Sequence, residues 1–239
     1  MSAPQPFHTT RWSLVLAARD AQRPALEELC RAYWLPLYAY ARRSGFESHE
    51  AEDVVQAFFA RLLEKRDLAA VGPEKGRFRS FLLVALRHFV ANWRDRERAE
   101  KRGGGRVRSS TGLDLDLPGA DARLAQMAPA TDDPERAYEQ VWARELLRAC
   151  LEDLGREYAG SGRGAVFDEL KDGLQGTLGE GQVAERAERL GLTAGALKVA
   201  LHRLRTRFRD KVRERIAATV ESEADVDDEL AALLRALAG

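Results

Sequence analysis

The stretch QVAERAERLGLTAGALKVALHRLRTRFR, residues 182–209, decides the reading of the fold. Val183, Ala187 and Leu190 recur at helical spacing in its first third. Gly191 follows, and glycine is the residue that closes a helix in the left-handed conformation without a Cβ clash. Leu192 is expected to plug the turn, and Thr193 to cap the next helix by accepting from its free N–H groups. In that second helix Leu197, Leu201, Leu204 and Phe208 form one apolar stripe, while Lys198, His202, Arg203, Arg205, Arg207 and Arg209 take the outer face. Donors at that density suit phosphates and guanine edges. A basic second helix after a glycine turn is how a helix-turn-helix places side chains in a major groove. The same pattern also fits an amphipathic helical hairpin with solvated arginines, so the motif alone leaves the partner open.

The chain of 239 residues is rich in Leu, Ala, Arg and Glu, which favours helix over sheet. No run of eighteen apolar residues occurs, and MSAPQPFHTTRW lacks the apolar core of a signal peptide, so a cytoplasmic location with no membrane contact is expected. Cys30 and Cys150 lie on apolar helix faces without a CxxC or a neighbouring histidine cluster, which reads as two buried thiols and no metal or cofactor. The formal net charge of zero hides segregation: residues 77–108 carry ten Arg or Lys against three acids, and residues 198–215 carry eight against two. Acids concentrate in 114–135 and 221–229. Two basic patches suggest two nucleic-acid contacts, and the acidic segments either imitate nucleic acid or shield those patches.

Periodicity divides the chain into an all-α, two-domain arrangement: a helical domain over 9–102, a flexible acidic linker over 103–133, a second helical domain over 134–220 and an acidic amphipathic extension over 221–239. The first domain reads as a short helix at 11–19, a helix at 24–43 with a kink at Pro36 and a stop at Gly45, a helix at 50–65 capped by Ser48, and a long helix at 77–101. An amphipathic scrap at 121–127 is a candidate short helix inside the linker. Asp133-Pro134 is a cap followed by a first-turn proline. It opens a helix to residue 154, which a glycine-rich break at 155–164 separates from a shorter helix at 165–174.

Two surfaces outside the helix-turn-helix carry further chemistry. Opposite the apolar stripe Ala51, Val54, Val55, Phe58 and Leu62, the helix at 50–65 presents Glu52, Asp53, Gln56 and Arg61. Such an acid-and-amide face next to a basic helix fits a protein partner better than DNA, although a plain solvated face fits as well. The following helix combines Phe78, Phe81 and Trp93 with Arg77, Arg79, Arg87, His88 and Arg94. Aromatics beside arginines suit the capture of unpaired bases, but these aromatics are also spaced like core residues.

Three stretches together resemble one family. EAEDVVQAFFARLLE is similar to the region 2 signature of extracytoplasmic-function (group IV) sigma factors, GRFRSFLLVALRHFVANWRDR to the segment that follows it, and AERLGLTAGALKVALHRLRTRFR to region 4. The resemblance implies a factor that binds bacterial RNA polymerase core, at the β′ clamp and β flap, and directs promoter-specific initiation without catalysis of its own. It assigns polymerase docking to Glu52, Asp53 and Gln56. It assigns the −10 element to the loop at 66–77 and to Arg77, Arg79, Arg87 and His88, and the −35 element to Thr193, Lys198, His202, Arg203 and Arg205. The family usually has Asn at the place of His88, an apolar residue at Arg186, and Ser and Arg at Val199 and Ala200. It also implies a monomer when free, and it leaves open an anti-sigma partner. The acidic extension is expected either to mask the basic recognition helix or to complete the second domain's core. The rival readings are a dimeric helix-turn-helix regulator and a polymerase-binding adaptor that reads no promoter. An enzyme fits worst, since His8, His49, His88 and His202 are scattered and no catalytic spacing occurs.

Overall fold

The computed structural model describes residues 23–64, 77–100, 119–127, 131–174, 176, 178–217, 220 and 222–238; for 23–26, 28, 63, 64 and 97–100 it describes the backbone alone. The sequence-based helix at 11–19, the loop at 66–76 and linker residues 103–118 lie outside the described residues. Among the described residues the chain is all-helical, with no strand. The helices are α1 (Arg23–Arg43), α2 (Ser48–Glu64), α3 (Phe78–Glu100), α4 (Ala120–Met127), α5 (Pro134–Gly160), α6 (Gly164–Leu170) running into a 3-10 turn at Lys171–Leu174, α7 (Glu180–Arg189), α8 (Ala194–Ala217) and α9 (Glu223–Ala238). None of the described helices is long and apolar enough to cross a membrane.

These elements form two compact units, one built from 1–145 together with 216–239, the other from 146–215. The divisions fall inside α5 and α8, whereas the sequence pattern placed them at 133/134 and 220/221. The physical reason on the first side is chemical: Tyr138 and Trp142 of α5 are buried, and the Tyr138 hydroxyl donates to the Arg79 carbonyl at 3.0 Å.

In the first unit α1 is the central rod, touching α2, α3 and α4. Every residue from Tyr33 to Ala41 is buried, so α1 is enclosed on all sides and not only along a stripe. Helix α1 continues through Pro36. Tyr33 meets Phe78 edge-on at 5.4 Å, and Phe58 meets Phe89 at 5.6 Å, which locks α1, α2 and α3 through aromatic pairs. The other side of α1 is closed by α4, where Asp121 accepts the Tyr38 hydroxyl at 2.6 Å and Arg42 Nε at 3.2 Å. Burial first, then this hydrogen bond, pushes the Tyr38 phenol up to about 12, while the Tyr38 bond outweighs burial and holds Asp121 below its ordinary value. A piece of the segment read as flexible linker is therefore docked on the core.

Two turns depart from the sequence reading. Ser48 does not cap α2, because its hydroxyl lies 3.0 Å from that of Tyr38. The N–H of Glu47 instead donates to Glu50 at 3.0 Å, and α2 begins at Ser48. Gly155 does not break α5, which runs on to Gly160. A Cβ at Gly155 would stand 3.0 Å from the Phe167 ring, so this glycine permits close packing within a helix.

The second unit has one apolar core, in which Leu154, Phe167, Leu170, Val183, Ala187, Leu197, Leu201 and Leu204 are buried. Phe208 packs at its margin half-buried. Cys30 and Cys150 are buried free thiols, and burial raises Cys30 to about 12, far from reactivity at neutral pH.

Candidate nucleic-acid interface

In the second unit the local chemistry of the turn holds α8 out from α7. Gly191 sits at φ +63°, its N–H donates to the Glu188 carbonyl at 3.0 Å, and the Leu192 N–H donates to the Ala187 carbonyl at 2.8 Å. This is the paired closure that glycine at a helix end allows. Thr193 then caps α8, its hydroxyl accepting the Ala196 N–H at 3.1 Å. Leu192 does not plug the turn; it is 38% exposed. Leu197, Leu201 and Leu204 point into the core and thereby turn Lys198, His202 and Arg203 outward, all exposed.

The basic stripe of α8 divides by function. Lys198 and Arg203 are exposed, and among the described residues their side chains meet no hydrogen-bond or ion-pair partner, which leaves both charges available to phosphate. Arg205 is not available: it folds back and donates to the Gly173 carbonyl at 3.1 and 2.8 Å and to the Gly176 carbonyl at 2.6 Å. Gly173 is buried so tightly that a Cβ there would meet Leu201 at 2.9 Å. Farther along, Arg207 lies 3.5 Å from Glu157, Lys211 pairs with the same carboxylate, and Arg215 donates to Asp153 at 3.2 Å. Burial raises the Asp153 carboxyl, but Arg215 and Arg156 outweigh it and the net shift is downward. Arg186, which stands where the resembling family is apolar, donates to the Glu169 carbonyl and lies 3.4 Å from Asp172, tying α7 to the preceding turn.

In the first unit Glu52, Asp53 and Gln56 are half-buried on α2, with Ala51, Val54, Val55, Phe58 and Phe59 buried opposite. Helix α3 buries Phe78, Leu82, Leu86, Phe89 and Val90. Phe78 and Phe89 are core residues, which disposes of base stacking for Phe78; Phe81 and Trp93 stay half-buried, Trp93 5.7 Å from Phe89. His88 is exposed, and Arg87 lies 3.3 Å from Glu135 with half of its side chain in solvent. The three helices that make this arrangement, from Leu29 of α1 to the end of α3, coincide with a known domain. Residues 29–100 match the family described as Sigma-70 region 2.

No curated protein and no solved structure matches the chain. Region 2 is the part of sigma-70 factors that binds polymerase core and recognises the −10 element, so the match supports a role in polymerase binding and promoter recognition. Around the matched segment, however, the candidate DNA contacts Arg77 and Arg79 are held by carboxylates more tightly than the half-solvated Arg87. Arg79 is 5% exposed; it donates through Nε and Nη2 to Glu229 of α9, the latter at 3.1 Å, and through Nη1 to Glu139 of α5. Its guanidinium lies 4.3 Å from the Trp142 ring centre. Arg77 lies 3.0 Å from the same Glu229 and 3.9 Å from Asp228. Burial lowers the Arg79 guanidinium, but the hydrogen bonds and charges of Glu229 and Glu139 more than reverse that. Burial raises the Glu139 carboxyl against the pull of Arg79.

The acidic extension belongs to the first unit rather than completing the second unit's core, and Glu229 of α9 is buried against Arg77 and Arg79. Glu229, Glu139 and Trp142 were missed as site residues. The acids were visible as a run at 221–229, but their partner lies 150 positions away, where no local signal reaches.

Proposed function

We propose that the chain is a sigma factor of the extracytoplasmic-function type, working in the cytoplasm as a monomer until it joins RNA polymerase core. The observation that carries this reading is the match of residues 29–100 to Sigma-70 region 2. The helix-turn-helix of the second unit supports it, since Lys198, His202 and Arg203 stand exposed on the helix that would read the −35 element. Polymerase docking is assigned to Glu52, Asp53 and Gln56 on α2. The −10 contacts are assigned to Arg77, Arg79, Arg87 and His88, and the −35 contacts to Thr193, Lys198, His202 and Arg203, with Arg205 holding the helix-turn-helix together. Binding energy alone drives such a mechanism. Captured unpaired bases offset the unstacking cost of a few kcal/mol, and tethering both units to one polymerase makes the second DNA contact effectively intramolecular.

A second reading, an adaptor that docks on polymerase without reading a promoter, is favoured by one observation: Arg77 and Arg79 are held by Glu229. The docking assignment common to both is tested by co-elution with purified core polymerase. Wild type should co-elute and Asp53→Lys/Gln56→Ala should not; equal co-elution of the two proteins would refute the assignment.

A further inference from the structure

The contact between α9 and the head of α3 has the chemistry of nucleic-acid binding with a carboxylate in place of phosphate. An arginine fork binds a carboxylate and a phosphate with the same two-pronged geometry. Glu229, 1% exposed, occupies the fork of Arg79 and also lies 3.0 Å from Arg77. Asp228 adds a second carboxylate toward Arg77 at 3.9 Å. The Nε/Nη2 edge of Arg79 that holds Glu229 cannot hold a phosphate at the same time, so the two ligands exclude each other there.

The attachment of α9 is also lightly built apart from these pairs. Its buried apolar residues are Val226, Ala232 and Leu233, while Leu234 is 65% exposed. A groove of about 430 Å³, lined by Arg77, Arg79, Glu139, Ala232 and Arg235 among others, leaves the seam beside the ion pairs open. Buried ion pairs add little net stability, because desolvation offsets their attraction. A helix held mainly by such pairs and a short apolar stripe is therefore displaceable by a competing polyanion.

Resting on the sigma-factor reading for the identity of its competitor, we propose that α9 is a detachable acidic cover over Arg77 and Arg79: it occupies the arginines that would hold the promoter's single strand and must leave before they can act. The free chain is then restrained at region 2, and displacement of α9 is a step in forming the open complex.

The test measures binding of a fluorescein-labelled random-sequence single-stranded DNA by fluorescence anisotropy across a salt series. It compares the full chain, a truncation ending at Val220, and the full-length variant Asp228→Asn/Glu229→Gln. Truncation should tighten binding several-fold, and its salt slope should steepen by at least about 0.7, because Arg77 loses both of its carboxylates and neutralises a phosphate while Arg79 keeps its bond to Glu139. The full-length variant should tighten binding about threefold, and adding Arg77→Ala/Arg79→Ala to the truncation should abolish the gain. Unchanged affinity and slope in a truncation that still melts cooperatively would overturn the proposal. Should the truncation not fold, unchanged affinity in the full-length variant overturns it instead. Co-elution with core polymerase keeps the two readings apart: a gain in DNA binding without core binding refutes the sigma-factor reading and leaves the cover standing, whereas core binding without a gain refutes the cover alone.

Discussion

Replacing the arginines and lysine of α8 one at a time should separate charges that meet DNA from charges that hold the fold. Lys198 and Arg203 stand exposed, whereas Arg205 spends its fork on the carbonyls of Gly173 and Gly176. Each cation that neutralises a duplex phosphate contributes about 0.9 to the salt slope. Raising salt from about 50 to about 200 mM then costs about 3.5-fold in affinity per contact and about 12-fold for two. Lys198→Ala and Arg203→Ala should each flatten the slope by about 0.9, the double variant by about 1.8, and none of them should move the melting temperature appreciably. Arg205→Ala should do the reverse. It leaves the buried Gly173 carbonyl without its donor, a loss of about 2 kcal/mol for a charge-assisted bond, or about 4–8 °C in a chain of this size. The assays are anisotropy of a labelled random-sequence duplex over a salt series and a thermal melt by circular dichroism. An Arg205→Ala protein that melts like wild type while its slope flattens by about 0.9 would refute the division of the stripe.

Three further outcomes follow from paired or strained positions. Glu229→Ala or Arg79→Ala, each stripping one partner from a buried pair, should cost about 3–5 kcal/mol in chemical denaturation, whereas Arg79→Met/Glu229→Leu, which still leaves Glu139 and Arg77 short of a partner, should cost clearly less than the two single losses added together; strictly additive losses would count against the pairing. Asp121, whose folded carboxyl titrates below its ordinary 3.8, contributes stability that is present above that value and lost as pH falls through the lower folded one. Asp121→Asn should therefore melt below wild type at neutral pH, with the gap closing under about pH 4; a gap constant with pH would contradict the Tyr38–Asp121 bond. Gly191→Ala forces a Cβ into the left-handed region at φ +63° and should destabilise the chain by about 1–2 kcal/mol, read from the shift in denaturation midpoint.

What could be read from the sequence was local, and what could not was distant. The helix-turn-helix was legible because Gly191 and Thr193 act on residues within five positions of themselves. The apolar stripe of α8 was legible because Leu197, Leu201 and Leu204 repeat at helical spacing. The partition of its charges was not, since the acceptors of Arg205 lie 29 and 32 positions back and are backbone carbonyls with no sequence signature. Ser48 looked like a cap, but Tyr38, ten positions away, shares its hydroxyl and Glu50 supplied the capping carboxylate. Gly155 looked like a break because the Phe167 ring that needs its missing Cβ belongs to another helix. The acidic extension was visible as charge, yet its pairing with Arg77 and Arg79 depends on tertiary packing alone.

Run-off transcription with purified core polymerase and a promoter library reads the proposed promoter-directed initiation itself. Wild-type protein should give transcripts from a defined −35/−10 pair, and Asp53→Lys/Gln56→Ala none. Absence of defined transcripts from a wild-type protein that binds core, in both the full chain and the truncation ending at Val220, would contradict it.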